Sequence, residues 1–189
     1  MDKIKAMKKF LLVFMVLSSL ATRAQEKNSS RMLIWADASS GVSEFSGRDE
    51  HLGVGINMAI RSHLLGFSFE SVNRPLIDIF GPQGEPQLDY GSIWYGYLHQ
   101  KKYGLLYAKA GISYTNYYFA ADTVYDSGFF GVPVPDYQYK TKSGIGLPVE
   151  VGAGAKFHYV TLQAYASVLF FNEGTLPSVG IKIGLGYLP

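Results

Sequence analysis

The stretch from Ser178 to Pro189, "SVGIKIGLGYLP", alternates in a way that few folds accept. Val179, Ile181, Ile183, Leu185 and Tyr187 fall on one side of a period-2 zigzag; Gly180, Lys182, Gly184 and Gly186 fall on the other. A soluble sheet would cover its second face with Lys, Glu and Thr, not with bare glycine. The contrast recurs upstream: Leu52, Val54, Ile56, Met58 and Ile60 alternate with Gly53, Gly55 and Asn57; Ile145 to Phe157 with Gly146, Glu150, Gly152 and Gly154; Val160 to Phe170 with Thr161, Gln163, Tyr165 and Ser167. Such strands suit lipid outside and a narrow, crowded inside.

No segment shows a sustained 3.6-residue apolar period. The alternation predicts eight strands: 32–42, 52–61, 64–73, 88–99, 103–117, 143–157, 159–170 and 178–188. Their connections also alternate. Tight links fall at Arg61–His63, Gln100–Lys102 and Phe157–Tyr159; long ones are expected at Ser43–His51, Arg74–Gln87, Tyr118–Lys142 and Phe171–Pro177. Short turns on one rim and long loops on the other are the layout of a transmembrane barrel, and each segment is long enough to cross a bilayer at a tilt. Pro148 would lose a ladder bond, predicting a bulge there. In the fourth strand Leu88, Tyr90 and Trp94 share one parity and Ile93, Tyr95 and Tyr97 the other, predicting a second bulge near Gly91.

The chain's first 24 residues read differently. Lys3, Lys5, Lys8 and Lys9 precede an apolar run from Phe10 to Leu20 and small residues at Thr22 and Ala24, the pattern of a secretory signal cut after Ala24. The chain has 17 Lys+Arg and 15 Asp+Glu; removing the signal's five basic and one acidic residue leaves 12 against 14, a net charge of −2. No basic tract then remains to suggest nucleic acid. With no cysteine, disulfides, thiolate metal sites and a cysteine nucleophile are excluded. Residues 25–189 form one domain by length. Charged residues make up 17% of the chain against about 25% in soluble domains, while aromatics reach 15%.

Those aromatics cluster at strand ends. Tyr97, Tyr103, Phe157, Tyr159 and Tyr187 lie beside the short turns, and Phe69, Tyr90, Tyr114, Tyr117, Phe170 and Phe171 beside the long loops, as two headgroup-level belts would require. The expected fold is an all-β, eight-stranded, antiparallel, up-and-down transmembrane barrel. In this pattern the chain resembles the small eight-stranded outer-membrane barrels of Gram-negative bacteria, the class that includes outer membrane protein X and the membrane domain of outer membrane protein A. "LPVEVG", Leu147 to Gly152, resembles a Pro-containing strand common in bacterial outer-membrane β-barrel domains. The chain departs from that class in placing Tyr187, its last aromatic, third from the end. The resemblance implies residence in the bacterial outer membrane, contact with its lipid and lipopolysaccharide, and handling by the barrel-assembly machinery during insertion.

No cofactor, metal site or catalytic set is expected. His63, His99 and His158 fall in the short turns and read as interfacial polar residues. His51, beside Asp49 and Glu50 and near Ser46, is placed at the outer mouth. Some eight-stranded barrels modify lipid A with His, Ser and an acid near the outer leaflet, which makes an enzyme the alternative reading. A narrow channel for solutes or hydrophobic ligands is a further alternative, opposed by the expected plug of Tyr107, Tyr165, Glu70, Lys109, Glu150 and Lys182. A soluble lipocalin-like carrier is opposed by the glycine-rich faces. The favoured function is non-enzymatic display of surface loops, in adhesion, host or phage contact, or envelope integrity, with an extracellular protein or glycan as ligand. Ala120 to Lys142 is the candidate surface, with Tyr125, Phe129, Phe130, Tyr137 and Tyr139 as anchors; the competing reading is a pair of strands continuing as a self-packed hairpin. Inside the barrel, Asp37, Glu70, Lys109, Glu150 and Lys182 are expected to form a charge network, with Lys109 meeting Glu150 and Asp37 meeting Lys182.

Overall fold

Period-2 alternation commits this chain to strands, and closure leaves none of them an open edge within the bilayer-crossing zone. The structure, a computed structural model, describes residues 32–44, 49–73, 86–127 and 133–187. Eight strands follow one another: β1 Met32–Ser43, β2 Asp49–Ile60, β3 His63–Asn73, β4 Gln87–Gln100, β5 Gly104–Ser127, β6 Pro133–Phe157, β7 Val160–Phe171 and β8 Gly174–Tyr187. Each pairs antiparallel with its sequence neighbours, and β1 closes on β8 from Ile34 opposite Tyr187 to Ser43 opposite Ser178. The eight-stranded antiparallel barrel expected from the sequence is therefore the fold. The signal segment lies outside the described residues.

The greasy faces point outward. Val54, Ile93, Ile145 and Leu185 are 60%, 69%, 66% and 62% exposed, and their equivalents continue around the wall. Inside, glycines make room for rings: a Cβ on Gly152 would lie 2.4 Å from the Tyr107 ring, and one on Gly180 would lie 2.9 Å from that of Tyr165. Apolar side chains also turn inward at both ends. Leu33, Trp35, Ala59, Leu64, Leu98, Leu105 and Tyr107 form a plug toward the short turns. Val72, Leu88, Tyr90, Leu169 and Leu176, with Tyr117 and Phe171 against them, form a second plug at the opposite rim.

Several local expectations are corrected. Neither bulge forms where expected. β4 keeps one register through Gly91 against both neighbours, because Tyr90 and Trp94 point inward while Ile93 and Tyr95 point out. Around Pro148 the β5–β6 pairing lapses opposite Gly111 and Ile112, but the register is the same on both sides, and the β7 side stays continuous. The register shift lies instead between Ala120 and Asp122. The long link at Phe171–Pro177 is a two-residue turn, Asn172–Glu173. Pro177 is tolerated within β8 because its carbonyl faces β1, accepting from Glu44 N; its nitrogen faces the same side, past the end of β1 at Ser43. Tyr90, Tyr117 and Phe171 belong to the inner plug and not to the outer belt, where Phe69, Tyr114 and Phe170 remain.

β5 and β6 outgrow the wall. β4 reaches only to Tyr118 on β5, and β7 begins on β6 at Leu147, yet β5–β6 pairing continues to Ser127 opposite Pro133. The two-stranded ribbon beyond Tyr118 extends about 30 Å at strand rise.

Candidate functional site

Between the two plugs lies a polar layer built on two carboxylates. Glu150, on β6, faces Lys109 across the ladder and receives three donors: Lys182 Nζ at 2.8 Å, Lys109 Nζ at 3.3 Å and the Tyr107 hydroxyl at 2.7 Å. Each ammonium also lies over a ring, Lys109 above Trp94 at 4.3 Å and Lys182 above Tyr165 at 4.6 Å. Glu70, on β3, bonds His51 Nε2 at 2.8 Å and accepts from the hydroxyls of Tyr90 and Ser68. The two hubs meet at Tyr165, whose hydroxyl lies 3.3 Å from His51 Nδ1 while its ring carries Lys182. Glu70, Lys109, Glu150 and Lys182 are all buried. Burying charges at this depth is tolerable only because each is paired and hydrogen-bonded.

Asp37 corrects the second expected pair. It stands opposite Gly184, with Lys182 opposite Ser39, so its carboxylate accepts from Asn57 Nδ2 at 2.6 Å, while Lys182 turns to Glu150. A cavity of about 10 Å3 between Trp35, Asp37, Asn57, Leu64, Tyr107, Lys109 and Gln163 holds at most one water.

The closed barrel fold recurs in solved structures. Neisserial surface protein A aligns with a TM-score of 0.58 and 12% identity, over 85% of this chain and 100% of that one. The N-terminal β-barrel domain of Pseudomonas aeruginosa OprF aligns at 0.57 and 12%, over 84% and 100%. Ail, the attachment invasion locus protein of Yersinia pestis, aligns at 0.54 and 14%, over 85% and 100%. The chain has the fold of the small outer-membrane β-barrels. The sequence matches no protein-family model and no curated protein.

On this outer-membrane-type barrel the other candidate residues separate. His51 is not at a mouth: β2 begins at Asp49, and the alternation that turns Asp49 and His51 inward buries His51 completely. Ser46 lies outside the described residues. The ribbon carries Tyr125 opposite Pro135 and Tyr137 opposite Thr123, with Tyr139 opposite Ala120 and 42% exposed; Phe129 and Phe130 lie outside the described residues. Sequence reasoning placed Asn57 on the inward face but missed His51, Tyr90 and Trp94 as interior members. The available signal was parity, since all three share the inward face of their strands.

Proposed function

We propose that this protein is a non-enzymatic protein of the bacterial outer membrane whose sealed barrel holds the β5–β6 ribbon at the cell surface for adhesion, host or phage contact, or envelope integrity. The observation that carries this reading is the asymmetry between a barrel closed by two plugs and an ionic layer, and one hairpin that rises far above it. Solute passage would require breaking the paired charges of the layer, which opposes a channel. Burial of His51 against Glu70 removes the histidine that a lipid A-modifying reaction at the outer leaflet would need, which opposes an enzyme. Among proteins sharing the fold, one is named a surface protein and another an attachment and invasion protein, in keeping with a displayed ribbon. Lipid and lipopolysaccharide surround the wall on this reading, and an extracellular protein or glycan engages the ribbon.

The test is a chain lacking Ser127 to Asp136, expressed in cells that lack the native protein. The shortened barrel should insert and retain heat-dependent gel migration, while binding of intact cells to epithelial monolayers and matrix-coated plates is lost. Undiminished binding would remove the ribbon from the function. A changed lipid A mass spectrum on deleting the whole protein would return the enzyme reading.

A further inference from the structure

The rim of the short turns carries a charge pattern that nothing in the display function uses. Its exposed polar residues are Arg61 in the first turn and His63 at the start of β3, His99 at the end of β4 with Lys101 and Lys102 in the second turn, and His158 in the third. Among the described residues, no Asp or Glu lies in these turns or in the strand ends that flank them. The opposite rim carries Glu44, Asp49, Glu50, Asp89 and Glu173, with Lys142 paired to Glu173 at 3.3 Å.

Three further observations separate this rim from a chance run of cations. Each turn is fixed to the strand beside it by a backbone bond: Leu98 N donates to Ser62 O, Lys156 N to Tyr103 O, and Gly186 N to Tyr159 O, each at 2.9 Å. Arg61 and His158 also occupy left-handed backbone positions, with φ of 58° and 48°. Glycine or asparagine fits that region with least strain, whereas both tight turns place a basic side chain there. Exposed rings flank the rim, with Tyr103, Phe157 and Tyr159 57–66% exposed and Lys102 Nζ 5.0 Å from the Tyr103 ring centre. Amphipathic rings of this kind mark headgroup depth, so the cations sit where lipid phosphates lie.

We infer that the short-turn rim is a binding collar for anionic phospholipid headgroups of the leaflet it faces. The inference rests on the membrane reading above and adds the lipid class that the inner rim selects. Arg61, Lys101 and Lys102 supply the fixed charge, and the three histidines supply ring N–H donors to phosphate oxygens. A polybasic surface gains about 1 kcal/mol per Lys or Arg held near anionic lipid.

Spin-label resonance on the full barrel, refolded into phosphatidylcholine vesicles, measures it. Spin-labelled phosphatidylglycerol should associate about fivefold more strongly than spin-labelled phosphatidylcholine at low salt, one such contact per bound lipid. The preference should collapse in 0.5 M salt, taken as roughly a 4 Å screening length. It should also collapse in Arg61→Asn/Lys101→Gln/Lys102→Gln/His158→Asn, where asparagine keeps the left-handed positions accessible. Lys101→Gln/Lys102→Gln, which leaves those positions untouched, should lose roughly half of it. Heat-dependent gel migration reports insertion independently. Insertion with equal association of both lipids, or with a preference unchanged in both variants, would overturn the collar alone; failure of the native chain to insert would overturn the membrane reading and the collar with it.

Discussion

The barrel body and the ribbon are made from the same two strands, yet they solve opposite problems. Below Tyr118 on β5 and from Leu147 onward on β6, the strands have neighbours on both sides and place Tyr107, Lys109 and Glu150 in an interior where an unmatched charge is costly. Beyond those points each strand has one partner, and Lys140 to Ser143 are exposed. The difference teaches where sequence changes are tolerated. The body fixes register and stability, while the ribbon is free to vary its contacts.

Substitutions that break this division should rank by depth in the polar layer. Glu150→Ala strands two ammonium groups and one hydroxyl, and should lower the unfolding free energy of the detergent-folded barrel by about 3–5 kcal/mol. Lys182→Ala should come next and exceed Lys109→Ala, because Lys182 lies 2.8 Å from Glu150 and Lys109 lies 3.3 Å away. The Lys109→Ala/Glu150→Ala double variant should lose less than its two single losses combined; strict additivity in urea titrations would refute the pairing. Tyr90→Phe, removing one of the Glu70 donors, should cost about 1–3 kcal/mol. Removing Ser127 to Asp136 should leave the thermal midpoint nearly unchanged, since β4 pairing with β5 ends at Tyr118 and β7 pairing with β6 begins only at Leu147. A large drop would show that the ribbon braces the body.

Alternation made the wall legible in the sequence, and with it strand number, pairing order and the outward faces. It failed where chemistry and geometry disagree. Asp49 and His51 look like loop residues, but a strand that points them inward buries both, His51 against Glu70. Pro177 looks like a strand breaker, but its nitrogen faces a neighbour that has already ended. Tyr90 and Trp94 look lipid-facing, but their polar tips find Glu70 and Ser68. The inner plugs were readable in principle, since Leu33, Leu64 and Leu98 sit on the polar parity at strand ends. The Glu150 hub was half legible: the Lys109 partner follows from counting residues along two adjacent strands. The Lys182 partner does not, because it reaches across the lumen from β8.

Planar-bilayer recording of the purified full chain tests the sealed-scaffold claim most directly. Two plugs and an ionic layer predict a flat baseline after insertion is verified by gel migration, with no sustained conductance step at 100 mV in 1 M salt. Stable, repeatable open steps from the native chain would show a continuous aqueous path through the lumen and contradict the account.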